Sequence, residues 1–104
     1  MASSKEYLDF IMDQLSSARD VSYRAMMGEY VVYFRDKVIG GVYDNRFLVK
    51  RTAAGEKLMP GAVEEIPYDG AKPMLLVEDL EDKELLAFLL EAMYDELPAP
   101  KKKK

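Results

Sequence analysis

The sequence predicts an α+β domain, and three observations carry that expectation. Between Arg24 and Lys50, three β-like runs alternate with two tight turns. Apolar residues near each end recur at helical spacing. The chain's 104 residues suffice for one hydrophobic core but not for two. The 49% hydrophobic and 33% charged fractions are those of an ordinary folded protein rather than a disordered one. The expected domain spans residues 1–97, with residues 98–104 a disordered Pro/Lys tail.

The elements follow in order. Ser3 and Glu6 have capping-box spacing, and Leu8, Ile11, Leu15 and Ala18 then recur every three or four residues with Tyr7 beside them. A first helix over residues 4–17 is expected, followed by a short strand from Val21 to Met26. Glu29 to Arg35 carries Tyr30, Val31, Val32, Tyr33 and Phe34, which suit a pleated surface. Asp36-Lys37 reads as a two-residue turn into a strand from Val38 to Tyr43. Asp44-Asn45 reads as the next turn, because both residue types tolerate positive φ. Arg46 to Lys50 is the third strand, with Phe47 and Val49 on one face and Arg46, Leu48 and Lys50 on the other.

Gly40 and Gly41 interrupt the middle strand, where glycine marks a bulge or a close approach by another group. A helix packed tightly on the sheet is the expected neighbour, with a ligand or partner backbone as the alternative. Thr52 caps a short helix through Leu58, which Pro60-Gly61 ends. Residues 61–73 read as a loop and Met74 to Val77 as a short buried strand. Five acids within residues 78–84 suit the N-terminus of a last helix over about residues 81–96. That helix is apolar in more than one direction: Leu85, Leu89 and Ala92 form one stripe, Leu86, Leu90, Met93 and Leu97 a second, and Phe88 a third. Such a helix is either wedged into its own domain or shared with a second chain.

The chain has no histidine and no cysteine, which removes the commonest metal ligand, thiolate chemistry and the usual proton shuttle near neutral pH. No carboxylate pair forms a recognisable acid/base motif, the serines lack a nucleophile-elbow setting, and no glycine loop suits a phosphate. The expectation is no enzyme, no cofactor and no metal. No stretch approaches the roughly 20 apolar residues that span a bilayer, and MASSKEYLDF is unlike a secretory signal, so a cytoplasmic location is expected.

Charge is unevenly placed. Formal net charge is −4, but without the four terminal lysines residues 1–100 carry 11 − 19 = −8. Residues 19–57 hold eight basic and five acidic side chains, and residues 58–100 hold two and eleven. An acidic body repels phosphate backbones, which argues against direct DNA binding, while the basic middle leaves room for a local patch.

The order Arg24, Met26-Met27-Gly28, Tyr30, Tyr33-Phe34, Gly40-Gly41, Asp44-Asn45, Arg46-Phe47-Leu48, Lys50 resembles the N-terminal domain of the TfoX/Sxy competence regulators. Ile66-Pro67-Tyr68 and Met74-Leu75-Leu76 fall where that family places a loop and a strand. Met27 stands where the family usually has phenylalanine, and the resemblance is to a stand-alone N-terminal domain without the C-terminal one. It implies a two-layer fold, an antiparallel sheet of about five or six strands with helices packed on one face, similar to secretion chaperones. It also implies regulation of competence gene expression through protein contact, with transcription machinery among the expected partners and a homodimer among the expected states.

The expected function is therefore a non-enzymatic regulatory or adaptor domain. Its candidate interaction face comprises Arg24, Met27, Glu29, Tyr30, Gly40, Gly41, Arg46 and Lys50. The alternative is a small-ligand or nucleic-acid-binding module using the basic Arg24–Lys50 region.

Overall fold

Chain entry into the first helix is set by a serine hydroxyl. In the computed structural model, which describes residues 4–26, 29–67, 69–78 and 80–97, Ser4 Oγ accepts from the Tyr7 amide at 3.1 Å. This is one residue later than the expected Ser3 cap, and Ser3 lies outside the described residues. Helix α1 (Lys5–Gln14) is shorter than the predicted 4–17 because its end tightens into a 3₁₀ turn, Leu15–Ser17. Strands β1 (Val21–Met26), β2 (Glu29–Phe34), β3 (Lys37–Val42) and β4 (Phe47–Val49) follow. Helix α2 (Ala53–Leu58), β5 (Glu64–Glu65), β6 (Met74–Leu76) and α3 (Lys83–Tyr94) complete the order.

The fold is α+β: among the described residues, one antiparallel sheet of six strands in the order β1-β2-β3-β4-β6-β5, with three α-helices. The β3–β4 turn is the one read from the sequence. Asp44 and Asn45 take φ 54° and 56°, and Tyr43 and Arg46 exchange both backbone hydrogen bonds at 2.8 and 3.0 Å. The β2–β3 turn falls one residue earlier than expected, at Arg35-Asp36, with Arg35 at φ 59°. The reason is tertiary: the Arg35 guanidinium lies 4.6 Å from the Phe34 ring centroid and pairs with Glu91 at 3.1 Å. Residues 61–73 are not all loop, because Glu64 and Glu65 pair with Leu75 and Met74.

The core lies between one face of the sheet and the helices. Leu8 and Ile11 of α1 and Leu86, Leu89, Leu90 and Met93 of α3 are fully buried. They join Val32, Phe34, Ile39, Val42, Phe47 and Val49 from the strands. The register explains the choice: Tyr30, Val42 and Phe47 are cross-strand partners on the helix face, as are Val32, Gly40 and Val49. Val31, Gly41, Leu48 and Leu76 pair on the opposite face. The α3 stripe of Leu86, Leu90, Met93 and Leu97 is spent within the domain, and Phe88 stays 60% exposed.

Gly40 and Gly41 are not explained by a helix. A register shift between Val32 and Tyr33 leaves Ile39 without a partner residue on β2. A Cβ on Gly40 would stand 2.0 Å from the Leu48 carbonyl oxygen and 2.7 Å from Val49 Cα, so the close neighbour is the β4 backbone. A Cβ on Gly41 would stand 2.5 Å from the Tyr30 carbonyl oxygen and 2.6 Å from the Tyr43 ring. Long-range polar contacts fasten the helices. Gln14 Nε2 donates to the Leu80 carbonyl at 2.6 Å, and the Lys37 ammonium lies 4.0 Å from the Tyr94 ring centroid while donating to the Tyr94 carbonyl.

Candidate functional site

Because helices cover one face of the sheet, the other is left to side chains and to the loop that follows β5. That loop returns beside the strands and encloses a groove of about 520 Å³. Its strand side is formed by Met26, Val31, Val38, Tyr43 and the backbone of Gly40. Its loop side is formed by Pro67, Ala71, Pro73 and Met74. Three cations join this apolar lining: Lys50 just past β4, Arg51 beside it, and Lys72 from the loop.

The cations differ in their commitments. Arg51 is held by Glu56 at 3.0 Å and by Glu64 at 3.4 Å. Arg46, at the neighbouring strand end, is ion-paired with Glu65 and also donates to the Tyr43 carbonyl at 3.3 Å. Both β5 glutamates are thus neutralised by arginines. Lys50 and Lys72 have no ion-pair or side-chain hydrogen-bond partner among the described residues. A protein of net charge −4 therefore places on one apolar groove two ammonium groups with no ion-pair partner among the described residues.

The candidate face read from the sequence is split by the fold. Arg24 and Lys50 do lie on the uncovered side, Arg24 on the edge strand and exposed, Lys50 in the groove wall. Glu29 accepts from the Asp44 amide at 3.1 Å, joining β2 to the β3–β4 turn. Tyr30 is on the helix side, packed on the core and edge-to-face with Tyr23 at 5.8 Å, so it does not share a face with Arg24. The space above Gly41 is filled by the Tyr43 ring, while Gly40 contributes backbone to the groove. Met27 lies outside the described residues, as do Gly28, Tyr68 and the tail from residue 98.

Lys72, Val38, Tyr43 and Pro73 were not singled out by sequence reasoning. Lys72 sits among turn-forming residues, and nothing local indicates that its loop folds back over the sheet. Among the described residues no group of three or more acids is placed to hold a metal ion, and no helix is long and apolar enough to cross a membrane. Two tyrosines outside the groove have shifted ionisation. Burial pushes Tyr7 up, partly offset by a hydrogen bond with the Phe47 backbone. Partial burial, then the hydrogen bond to the Asp36 carboxylate at 3.2 Å, pushes Tyr94 up.

A second feature borders this face. Strand β1 is the sheet edge, paired only with β2. The Arg35 amide donates to the Asp20 carbonyl at 2.7 Å, which makes that pair a hydrogen-bonded one. By alternation Ser22, Arg24 and Met26 bond to β2, while the N–H and C=O groups of Val21, Tyr23 and Ala25 point away from the sheet. Tyr23 is 42% and Met26 44% exposed, and β1 contains no proline and a single charge. The opposite edge, β5, is two residues long and both are glutamates tied up by arginines.

Among known proteins, a 12.7 kDa protein of Spirochaeta aurantia, described as uncharacterized and encoded in the trpE 5′ region, is 36% identical over 105 residues. The alignment covers 100% of this chain and 91% of that protein. No family model matches the chain. No solved structure matches it.

Proposed function

The chain belongs to the family of the Spirochaeta aurantia 12.7 kDa protein, and we propose, from the sequence resemblance and the exposed β1 edge, that it is a non-enzymatic regulatory or adaptor domain acting by protein contact. The reading is of the TfoX/Sxy N-terminal type: a cytoplasmic domain whose partner is a protein of the transcription machinery rather than DNA itself. One observation carries the contact: β1 offers three outward-facing peptide groups at Val21, Tyr23 and Ala25 along an exposed edge. An extended segment of a partner adds there as a seventh strand, with main-chain hydrogen bonds supplying affinity and flanking side chains supplying choice. Ser22, Arg24 and Met26 would face such a partner on the uncovered side, and Tyr23 on the helix side.

The substitution Ala25→Pro tests this cleanly. The Ala25 amide points away from β2, so proline removes a donor that the fold does not use but strand addition needs. Partners captured from host lysate by the wild-type chain, identified and quantified by mass spectrometry, are expected to drop at least tenfold with Ala25→Pro while far-UV circular dichroism stays native. An unchanged capture profile would sink the edge-contact reading. So would duplex DNA binding at about 10 nM at physiological salt, the affinity of a direct DNA reader.

A further inference from the structure

We infer that the groove on the uncovered sheet face is a binding site for a small amphipathic carboxylate, a molecule with an apolar body and one anionic head. This goes beyond the partner-contact reading, since it concerns a different surface and a different kind of ligand. The volume of about 520 Å³ lies within the roughly 300–1,000 Å³ typical of small-molecule sites. The strand side offers Val31, Val38 and the ring of Tyr43, and the loop side offers Pro67, Pro73 and Met74. That lining takes an alkyl or aryl body and offers few hydrogen bonds to a polar one.

The head group follows from charge. Lys50 and Lys72 line the same groove from separate segments, and neither is ion-paired among the described residues. The β5 carboxylates are already taken, Glu64 by Arg51 and Glu65 by Arg46. In a body carrying net negative charge, a cationic groove with no carboxylate among its described lining residues is complementary to an anion. Ammonium groups are point charges rather than forks, so they accept a single carboxylate without demanding two-pronged geometry.

Other occupants fit less well. Nucleic acid would need several free cations and an exposed stacking ring, yet Tyr43 is only 6% exposed and two lysines are available. A metal ion would meet ammonium groups and no carboxylate among the described lining residues.

Decanoate, kept below its micelle concentration, is the probe, with 1-decanol as the uncharged control of equal chain length. Titration of the full chain, followed by calorimetry and tyrosine fluorescence, is expected to give one saturable site for decanoate. Decanol should bind about tenfold more weakly. Lys50→Met and Lys72→Met should each weaken decanoate about fivefold, as expected for a partly exposed ion pair. The double variant should bind decanoate and decanol alike. Lys57→Met, on the exposed side of α2 and outside the groove, should change nothing.

Four results overturn the assignment: no saturation by about 1 mM decanoate, the order of the weakest small-ligand affinities; equal affinity for decanoate and decanol in the wild type; more than one site per chain; or losses with Lys57→Met equal to those at Lys50 and Lys72. A fifth overturning result is salt-dependent binding of an acidic peptide in place of decanoate. The titration uses only purified chain, so it stands or falls independently of the β1 capture experiment.

Discussion

Substitution of Gly40 by alanine is the sharpest test of how the sheet is built. An alanine Cβ there would stand 2.0 Å from the Leu48 carbonyl oxygen, 2.7 Å from Val49 Cα and 2.9 Å from the Leu48 carbonyl carbon. Real Cβ contacts essentially never fall below 3.0 Å, so β3 and β4 must part by roughly 1 Å, that is 3.0 − 2.0. All three obstructing atoms are backbone, which cannot rotate aside as a side chain can. Parting the strands stretches neighbouring hydrogen bonds such as Lys50 N to Ile39 O, now 2.8 Å. Two or three such bonds at about 1 kcal/mol each, with about 1–2 kcal/mol of disturbed core packing, give a loss of about 3–5 kcal/mol. Against a total stability of about 5–15 kcal/mol, that is a large share.

Urea unfolding followed by far-UV circular dichroism measures the loss, and Gly61→Ala is the comparison. Gly61 has φ +77° and nothing within 4 Å of its would-be Cβ, so alanine there costs only the backbone conformation, about 1 kcal/mol. A Gly40→Ala protein within about 1 kcal/mol of wild type, with an unchanged unfolding slope, would refute the close-approach argument.

Three further outcomes are expected. Glu96 accepts from the Ala53 and Ala54 amides at 2.8 and 2.9 Å and so caps α2 from the far end of the chain. Glu96→Ala should cost about 1–2 kcal/mol and speed hydrogen exchange at those two amides, and unaltered exchange would contradict the contact. Leu89→Ala, at a fully buried position, should cost about 2–5 kcal/mol, whereas Phe88→Ala, 60% exposed, should stay within about 0.5 kcal/mol in urea titrations. Folded-state ionisation of Tyr7 and Tyr94 is raised above the ordinary 10.0, so their contribution is complete below that pH. It is lost as pH climbs toward the folded values, because the unfolded chain ionises first. The urea midpoint should therefore fall above about pH 10, and less steeply in Tyr94→Phe; an equally steep fall in that variant would exclude Tyr94.

Where structure depends on neighbours in sequence, reading and fold agree. Asp44-Asn45 adopts positive φ as its residue types favour, and Asp82 Oδ1 caps α3 at the Leu85 amide, within the acidic run expected to open that helix. Thr52 Oγ1 caps α2 at Gly55, again through a local hydroxyl. Arg35 in the β2–β3 turn was out of reach, because arginine has no local preference for φ 59° and is held there by Phe34, Tyr94 and Glu91. Strand β5 was equally hidden: two glutamates form a strand only because β6 and two arginines meet them.

The candidate site divides along the same line. Lys50 and Arg24 were visible as basic residues in an acidic chain, and strand alternation already placed Lys50 opposite Phe47 and Val49. Tyr30 was assigned to their face although its parity puts it with Val42 and Phe47 on the helix side. The α+β class, the meander and its second turn were written locally, in β-branched and aromatic runs, turn residues and apolar spacing, since those preferences act within a few residues. Only the tertiary structure decided which sheet face the helices leave open, which arginines quench Glu64 and Glu65, and that Lys72 comes to line a groove with Lys50. Those outcomes depend on how segments distant in sequence close on one another, and long-range closure leaves no periodicity for a single sequence to display.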